Sequence, residues 1–478
     1  MRLRLPLIDT SAAESRQRAW LRATDLNKEQ PCPWALERLK ISTDLEKNSD
    51  QLLHNQRGRC RSWAAGLQLA VAGFLALCIW IVYVARHRAG SRQVSLKRDV
   101  RCVLALHAED TTRTRHVIEA LAATDSSIAG IILLGRIRFS PQEVRSLWSK
   151  KDHRAILYDL PLLIPMSPSA CLYALANLPR QMMDGIRVAA SDSMAISVRR
   201  DVTIVFRIML GLTAAHWWRL NGKGQEVLFG HTGTADTILL ECEIQRSGAR
   251  TIHLVHGQAT GPNFLGFSDV ALFRSRHDAD AYAALDCYKE CSIQPAAQPY
   301  PKRGASGCLL LSNLAHPMNA GFRKSGIKDE LNLLYTVADV ARSLGPIATP
   351  LLWKPHPVIM TLPTQDQEQL RSTAKALGFV ELDANSDIKL AAASCHWVVS
   401  SPSTVAIDLL RSGMLCVMLD PQGTLPDSAL ECLPTAFTSK VELIKILISL
   451  SRPEEYYSKF LVAWEKIGPA GPLDLNVR

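Results

Sequence analysis

The stretch LLWKPHP, residues 351–357, runs from an apolar strand directly into a cation, a histidine and two prolines. Pro355 and Pro357 restrict the backbone on both sides of His356, and Lys354 adds a positive charge beside the imidazole. In doubly wound folds, polar residues just after a strand lie at the edge of the sheet where ligands bind. A strand cap with an exposed histidine explains the same residues, so both interpretations stand at this point.

A second polar corner follows about 45 residues later, in WVVSSPST at residues 397–404. Here an apolar strand ends in hydroxyl residues and enters a helix, whose free N–H groups favour an anion such as phosphate. Simple N-capping by Ser401 or Ser403 is the alternative. Together, the two corners predict a phosphate or diphosphate site that comprises Lys354, His356, Pro357, Ser401, Ser403 and Thr404.

Around these two corners, short apolar runs alternate with amphipathic stretches, a pattern typical of a parallel sheet with right-handed helical crossovers. The sequence predicts strands at 307–312, 348–353, 379–382, 397–399 and 415–419 and helices at 328–344, 365–377, 388–393 and 405–412. The stretch before them, SIQPAAQPYPKRGAS at 292–306, is rich in Pro, Ala and Gly and has no periodicity. It has the composition of a linker.

The same alternation occupies the first half of the chain. It predicts strands at 100–106, 129–134, 155–158, 226–230, 250–255 and 268–273 and helices at 113–123, 141–149, 202–218 and 234–247. The predicted fold is therefore α/β, with a Rossmann-like lobe at 99–291, a linker at 292–306 and a second Rossmann-like lobe at 307–478.

Composition narrows the choice of partners. The 478 residues are 47% hydrophobic and 21% charged, which excludes wholesale disorder, and the net charge of +10 favours anionic partners. The basic residues are dispersed, so we do not expect nucleic acid to be a partner. The twelve cysteines include no CxxC pair, and seven of them lie in apolar or amphipathic segments: Cys78, Cys102, Cys242, Cys308, Cys395, Cys416 and Cys432. Buried thiols are expected there, rather than disulfides or a metal site.

An uncharged stretch at 62–85 is long enough to cross a bilayer, which predicts one transmembrane helix after a basic, polar region at 1–61. A buried core helix is the alternative. Basic residues follow the stretch slightly more densely than they precede it, so the positive-inside rule favours a cytoplasmic C-terminal part. We therefore expect a single-pass protein at the bacterial inner membrane with its catalytic part on the cytoplasmic face, although the opposite orientation stays open.

The KPHP turn, the SSPST corner and Gly413 before the strand at 415–419 together resemble the C-terminal lobe of GT-B-type glycosyltransferases that build bacterial surface polysaccharides. The similarity is to the capsule and polysialic-acid type, and to the glycerophosphotransferases of teichoic acid synthesis, and it covers about 307–420. It implies a nucleotide-sugar donor, a glycan or lipid-linked acceptor, and no metal or other cofactor. It also implies that His356, Ser401, Ser403 and Thr404 hold the donor phosphates, with Lys354 assisting.

The first lobe offers candidates for the base that activates the acceptor. Asp110, in Glu109-Asp110-Thr111, partly matches the acidic motif of the polysialyltransferase type, and it could equally begin a helix. His256 directly follows a predicted strand, and its side chain has a suitable pKa for general base catalysis. His231, in GHTGT, and His316, in a second His-Pro step, are further candidates.

Three functions fit this sequence. The first is a membrane-anchored, metal-independent glycosyltransferase. The second is a phosphotransferase that moves a polyol phosphate from a CDP-linked donor. The third is a non-catalytic membrane-tethered protein of polysaccharide assembly or export that keeps the fold.

Overall fold

The structure is a computed structural model of the full chain. It describes residues 34, 62–88, 102–107, 128–134, 162–163, 166–191, 198–222, 226–230, 232, 234–255, 268–283, 288–294, 296, 298–312, 327–356, 359, 362–383, 386–420, 429–436 and 439–468. Contacts divide these residues into two units. The N-terminal unit runs to Phe273 and takes in Tyr282–Gln294, and the C-terminal unit consists of Arg274–Ala281 and the described residues from 296 to 468. The division differs from the predicted lobes in the short segment Arg274–Ala281.

The N-terminal unit contains a seven-stranded parallel sheet with the order β3-β2-β1-β4-β5-β6-β7. Its strands are β1 Cys102–His107, β2 Ile128–Leu134, β3 Leu162–Leu163, β4 Glu226–Phe229, β5 Arg250–Leu254, β6 Val270–Phe273 and β7 Glu290–Ile293. Its helices are α1 Ser62–Arg88, α2 Pro168–Ser191, α3 Val198–Asn221 and α4 Ala235–Arg246, and α5 Arg276–Ala283 follows β6.

The C-terminal unit contains a six-stranded parallel sheet with the order β10-β9-β8-β11-β12-β13. Its strands are β8 Cys308–Ser312, β9 Leu351–Pro355, β10 Phe379–Glu381, β11 Trp397–Ser400, β12 Cys416–Leu419 and β13 Thr435–Ala436. Its helices are α6 Ile327–Leu344, α7 Thr364–Ala376, α8 Ile388–Ser394, α9 Val405–Leu410, α10 Lys440–Ser451 and α11 Pro453–Ile467. The strands β8, β11 and β12 are buried throughout, because strands of a parallel sheet are covered on both faces.

Local signals in the sequence set the ends of several helices. Asp387 caps α8 by accepting a hydrogen bond from the backbone N–H of Lys389 at 2.8 Å, and Ser439 caps α10 through the N–H of Glu442 at 3.1 Å. The last helix, α11, begins with Pro453 and ends at Gly468, which has a φ of 60°. These caps satisfy backbone groups that the helices themselves leave unpaired.

The predicted linker is hydrogen-bonded to the C-terminal unit. The N–H of Gly304 donates to the carbonyl of Cys395 at 2.8 Å, and the N–H of Lys302 donates to the carbonyl of Gly413 at 2.7 Å. At Gly413 the φ is 94°, and a Cβ atom there would lie 2.4 Å from the carbonyl oxygen of Tyr300, so this crossing requires glycine. The strand β7 extends to Ile293, so the irregular connection begins two residues later than predicted.

The helix α1 covers the predicted transmembrane stretch and packs along one side on α2 and α3. Among the described residues, α1 is the one helix that is long and apolar enough to cross a membrane, judged by length and composition alone. The apolar segment is Gly66–Ala85, and about a third of it is buried inside the protein. Cys78 lies on its exposed side, so the expectation of a buried thiol is wrong there. Of the other predicted buried thiols, Cys242, Cys308, Cys395 and Cys416 are buried and Cys432 is half-buried; the side chain of Cys102 lies outside the described part.

Most predicted elements in the described regions are confirmed within a few residues. The sequence did not predict α2, α5, α10, α11, β3, β7 or β13. The strand β9 begins at Leu351 rather than at 348 because Gly345–Ala348 forms a 3-10 turn. The predicted helices at 113–123 and 141–149 and the strand at 155–158 lie outside the described residues. The α/β class with parallel sheets is therefore established.

Candidate functional site

The order of the second sheet locates a ligand crevice. Counted from β8, its strands follow the order 3-2-1-4-5-6, which reverses direction between β8 and β11. Doubly wound sheets with this order bind nucleotides outside the carboxyl ends of the strands, at the reversal. Ser312 ends β8 and Ser400 ends β11, so hydroxyl side chains flank this crevice on both strands.

The strand register brings the two sequence motifs to this edge. Pro355 on β9 pairs with Ser312 on β8, and on the other side of β8 the N–H of Ser401 donates to the carbonyl of Leu311 at 3.1 Å. Because Ser400 pairs with Leu311, Ser401 continues the same row as Ser312 and Pro355. Adjacent strands are about 4.8 Å apart, so Pro355 and Ser401 lie roughly 10 Å apart across the edge.

His356 follows directly after this row. His356 is half-buried. Its carbonyl group accepts a hydrogen bond from the N–H of Ile359 at 2.9 Å, just after the end of β9. This hydrogen bond fixes the carbonyl group of His356 at the end of β9, next to Pro355. Pro357, which was predicted to share the site, lies outside the described residues.

Lys354 has a more structural environment than the sequence indicated. It is buried, and its ammonium donates to the carbonyl of Asp383 in the segment after β10. Burial lowers the pKa of Lys354, and the carboxylates of Asp383 and Glu381 oppose that shift. In this position Lys354 adds positive charge to the edge of the sheet while it ties β9 to its neighbour.

The SSPST corner presents hydroxyls and backbone groups. Ser401, Ser403 and Thr404 are all half-buried, and the hydroxyl of Ser403 accepts a 3.4 Å contact from the N–H of Val405. Thr404 makes no capping bond with its side chain. The capping interpretation therefore applies weakly to Ser403, and the following helix, α9, has only six residues.

A buried polar cluster that the sequence did not predict lies beneath the ends of β8 and β9. The indole N–H of Trp353 donates to Ser312 Oγ at 2.8 Å, and both side chains lie near the carboxyl group of Glu330 in the first turn of α6, where they favour its charged form. Glu330 is 4% exposed, and its Oε1 has no hydrogen-bond partner among the described residues. Burial raises the pKa of Glu330 to about 7, so this carboxyl group changes charge near neutral pH.

A second unpredicted cluster involves the helix that follows the SSPST corner. Arg274, which is 4% exposed, forms an ion pair with Asp408 on α9, and Arg411 donates to the carbonyl of Arg274 at 3.3 Å. Burial and the charge of Arg274 lower the pKa of Arg411 to about 10, which leaves it protonated at neutral pH. Two guanidinium groups against one carboxylate give this part of the C-terminal unit a net positive charge, which favours an anionic ligand.

The remaining predicted site residues lie outside the described part of the chain: Asp110, His231, His256 and His316. The described strands that precede three of them in sequence, β1, β4 and β5, are neighbours in the first sheet. That sheet reverses its order between β1 and β4, so Asp110 and His231 follow the two strands at its crevice. Their roles stay predictions.

Two further features of the described structure bear on the choice of site. Within the described residues there is no group of three or more His, Cys, Asp or Glu side chains placed to hold a metal ion. A cavity of about 460 Å³ opens at the amino ends of β5, β6 and β7, the opposite edge from the crevice. Its charged side chains form ion pairs with one another, Lys289 with Asp269 and Arg250 with Glu290.

Comparison with known proteins gives similarities in structure. No protein-family model matches the sequence, and no curated protein matches it. Among solved structures, the chain is similar to the UDP-GlcNAc 2-epimerase of Neisseria meningitidis bound to UDP-GlcNAc, with a TM-score of 0.48 and 12% identity over 78% of this chain and 96% of that one. It is also similar to MurG of Acinetobacter baumannii, with a TM-score of 0.41 and 8% identity over 78% and 96% of the two chains. A third similar structure is a UDP-forming α,α-trehalose-phosphate synthase of Burkholderia xenovorans, with a TM-score of 0.43 and 10% identity over 77% of this chain and 94% of that one. No residue role is transferred from these proteins.

Proposed function

We propose that this protein is a GT-B-type glycosyltransferase that moves a sugar from a nucleotide-sugar donor to a surface polysaccharide or a lipid-linked glycan. The observation that carries the proposal is the row formed by Pro355, Ser312 and Ser401 at the carboxyl edge of the second sheet. It brings the KPHP turn and the SSPST corner, which are about 45 residues apart in sequence, to one crevice. Those are the two motifs on which the resemblance to polysaccharide transferases depends.

In this proposal the C-terminal unit holds the donor. The imidazole of His356 and the hydroxyls of Ser401, Ser403 and Thr404 would donate hydrogen bonds to the diphosphate or phosphate. When the bond between the sugar and the phosphate breaks, negative charge builds on the departing phosphate. Donors that are already in place stabilise that charge in the transition state. The positive charge of Lys354 and of the Arg274 and Arg411 pair favours the same anion at longer range.

The N-terminal unit would activate the acceptor. His256 or Asp110 would take the proton from the acceptor hydroxyl as its oxygen attacks the sugar, and a base of this kind typically contributes about 10²- to 10⁴-fold in rate. The proton leaves the hydroxyl, the new glycosidic bond forms, and the nucleotide departs with the phosphate oxygen. The scheme needs no metal ion and no other cofactor. An acceptor at the membrane would suit the apolar helix α1 of the same unit.

The proposal is tested with the purified full-length chain and a panel of donors: UDP-, GDP- and CMP-linked sugars and a CDP-linked polyol. One donor class should raise the melting temperature, since a ligand at 100 times its Kd stabilises by about 2.7 kcal/mol, and that donor should release its nucleotide in the presence of a glycan acceptor. Release of CMP from the CDP-polyol alone would replace the proposal with polyol phosphate transfer. The absence of any shift and of any release across the panel would indicate a non-catalytic assembly or export protein.

The variant His356→Ala ties the result to the crevice. It should lower the thermal shift and abolish nucleotide release, because it removes a donor to the phosphate while leaving the buried core intact. The control is His277→Ala on α5, a half-buried histidine of the same unit that belongs to neither the KPHP nor the SSPST motif. Wild-type turnover in His356→Ala would remove that histidine from the site.

A further inference from the structure

The outward face of α1 is apolar without exception. Ten residues between 66 and 85 are exposed, and none is polar: Leu67, Ala70, Val71, Phe74, Leu75, Cys78, Ile79, Ile81, Val82 and Ala85. Leu67, Phe74 and Val82 are 61%, 66% and 66% exposed. Surface helices of proteins surrounded by water carry polar residues on this face, so a continuous apolar stripe marks an interaction surface.

The opposite face of α1 is fastened to the N-terminal unit. Leu69, Ala72, Ala76, Trp80 and Tyr83 are buried against α2 and α3 in one apolar cluster. These five residues recur every three or four positions from 69 to 83, a span of fifteen residues and about 21 Å of helix axis.

Two specific contacts mark the ends of this packed segment. Near its start, Gln68 Nε2 donates to Asp201 Oδ2 of α3 at 2.6 Å. Near its end, the ring of Tyr83 meets that of Phe206 edge-on, with centroids 5.6 Å apart. The helix is therefore part of the folded unit along most of its apolar length.

Exposed apolar side chains also occur on the neighbouring helix α2. Leu172, Leu175 and Met183 are exposed on that helix, with Leu172 at 67%. The two helices are in close contact, since a Cβ atom at Gly73 would lie 2.9 Å from the end of the Met182 side chain. Two adjacent helices thus present apolar side chains on the outside of the N-terminal unit.

The charges around α1 favour an anionic surface. Between Asp50 and Asp99 the sequence contains no acidic residue, and its basic residues stand on both sides of the apolar stretch: Arg57, Arg59 and Arg61 before it, and Arg86, Arg88, Arg92, Lys97 and Arg98 after it. Basic residues placed next to an apolar helix in this way are attracted to the headgroups of anionic lipids.

We infer that α1 lies in the plane of an anionic phospholipid bilayer, with its outward face among the acyl chains, and that it does not cross the membrane. A crossing helix would carry about 21 Å of the packed surface of α2 and α3 into a hydrocarbon core about 30 Å thick. That surface includes the Gln68 to Asp201 hydrogen bond and the charged first turn of α3, with Arg199 and Arg200, which are costly in hydrocarbon. In-plane seating buries the apolar face and leaves these groups at the headgroups or in water.

Binding is measured with the full-length chain and vesicles of phosphatidylcholine, with and without phosphatidylglycerol. The protein should sediment with the anionic vesicles and less with the neutral ones. Phe74→Glu and Val82→Glu should each lower the partition coefficient at least about tenfold, because each removes an apolar side chain from the acyl region. The matched control is Leu390→Glu on α8 of the C-terminal unit, an apolar residue that is 72% exposed and should bind as the wild type does.

The location of the two chain termini distinguishes an α1 helix that lies in the plane of the membrane from one that crosses it. Tags at the N- and C-termini should both be cleaved by protease from the same side of sealed, oriented membrane vesicles. Tags cleaved from opposite sides would overturn the inference in favour of a span. Unchanged partition of Phe74→Glu, or conversion of a dimer to a monomer by that variant without loss of vesicle binding, would overturn it in favour of a protein contact. None of these outcomes depends on transferase activity.

Discussion

In the C-terminal unit, neighbouring strands end in buried polar residues: Lys354 near the end of β9, Ser312 on β8, Ser400 on β11 and Asp420 after β12. In the N-terminal unit, β1 ends in His107, whereas β4, β5 and β6 end in Phe229, Leu254 and Phe273. The order of the strands is the same around the reversal in both sheets. The topology therefore supplies the place for a ligand, while the side chains at the strand ends determine what that place can bind.

The largest expected effects test the division of labour between the two units. His256→Ala should lower kcat by at least about 100-fold, because it removes the proposed base, while leaving the Kd of the donor within about threefold. His356→Ala should raise the Kd of the donor as well as lower kcat. Donor titration and single-turnover kinetics measure both quantities. Equal losses in Kd and kcat for His256→Ala would assign that residue a structural role.

A second effect belongs to the C-terminal unit alone. Because burial raises the pKa of Glu330 from 4.5 to about 7, the ionised form costs stability, and that cost is absent below about pH 4.5 and complete above about pH 7. Glu330→Gln should therefore gain stability over the wild type as the pH rises from 5 to 8, by up to about 3 kcal/mol.

Denaturation at the two pH values, with hydrogen exchange to identify the unit that unfolds, measures this gain. The control is Glu381→Gln, whose carboxylate pairs with Arg371 at the surface and should contribute little. A difference between wild type and Glu330→Gln that does not vary with pH would contradict the charge change at Glu330.

The third effect belongs to the N-terminal unit and concerns the packing of α1 on α3. Gln68→Ala should destabilise the packing of α1 on α3 by about 2 kcal/mol, since it removes a hydrogen bond to the Asp201 carboxyl group. Hydrogen exchange should show faster exchange in α1 and α3 and no change in β8 to β13. Faster exchange in both units would show that the two do not respond separately.

The smallest effect concerns a helix cap in the C-terminal unit. Ser439→Ala should cost about 1 kcal/mol, because the N–H of Glu442 loses its acceptor at the start of α10. Ser439→Asp should retain the stability, since aspartate caps equally well. A full loss in Ser439→Asp would indicate that the hydroxyl has another role.

The alternation of strands and helices was predictable because strands such as CLLLS and WVVS are apolar on both faces and stand out from their surroundings. The edge strand β7, ECSI, was missed because it is only partly buried and has no apolar run. The helix α2 was missed because Pro179 interrupts its pattern. The local sequence therefore predicts a strand or helix only where burial requires a recognisable pattern of apolar residues.

The candidate site was predictable to the extent that proline and hydroxyl residues follow buried strands. His356 and Ser401 have this signature, and the register places them at one edge. Glu330 and Arg274 were missed because burial is a tertiary property. An acidic residue in the first turn of α6, beside Asp329, has the pattern of an ordinary solvated helix start. The hydrogen bond from Lys354 to Asp383 depends in the same way on a neighbouring segment.

Arg274–Ala281 belongs to the C-terminal unit but lies in sequence between stretches of the N-terminal unit, and this has a consequence for exchanging parts between related chains. A chimera joined within the irregular connection after Ile293 would take Arg274 from one parent and Asp408 from the other. A graft that exchanges the C-terminal unit must therefore move this eight-residue insert together with the later half. Natural recombination with a single breakpoint faces the same requirement.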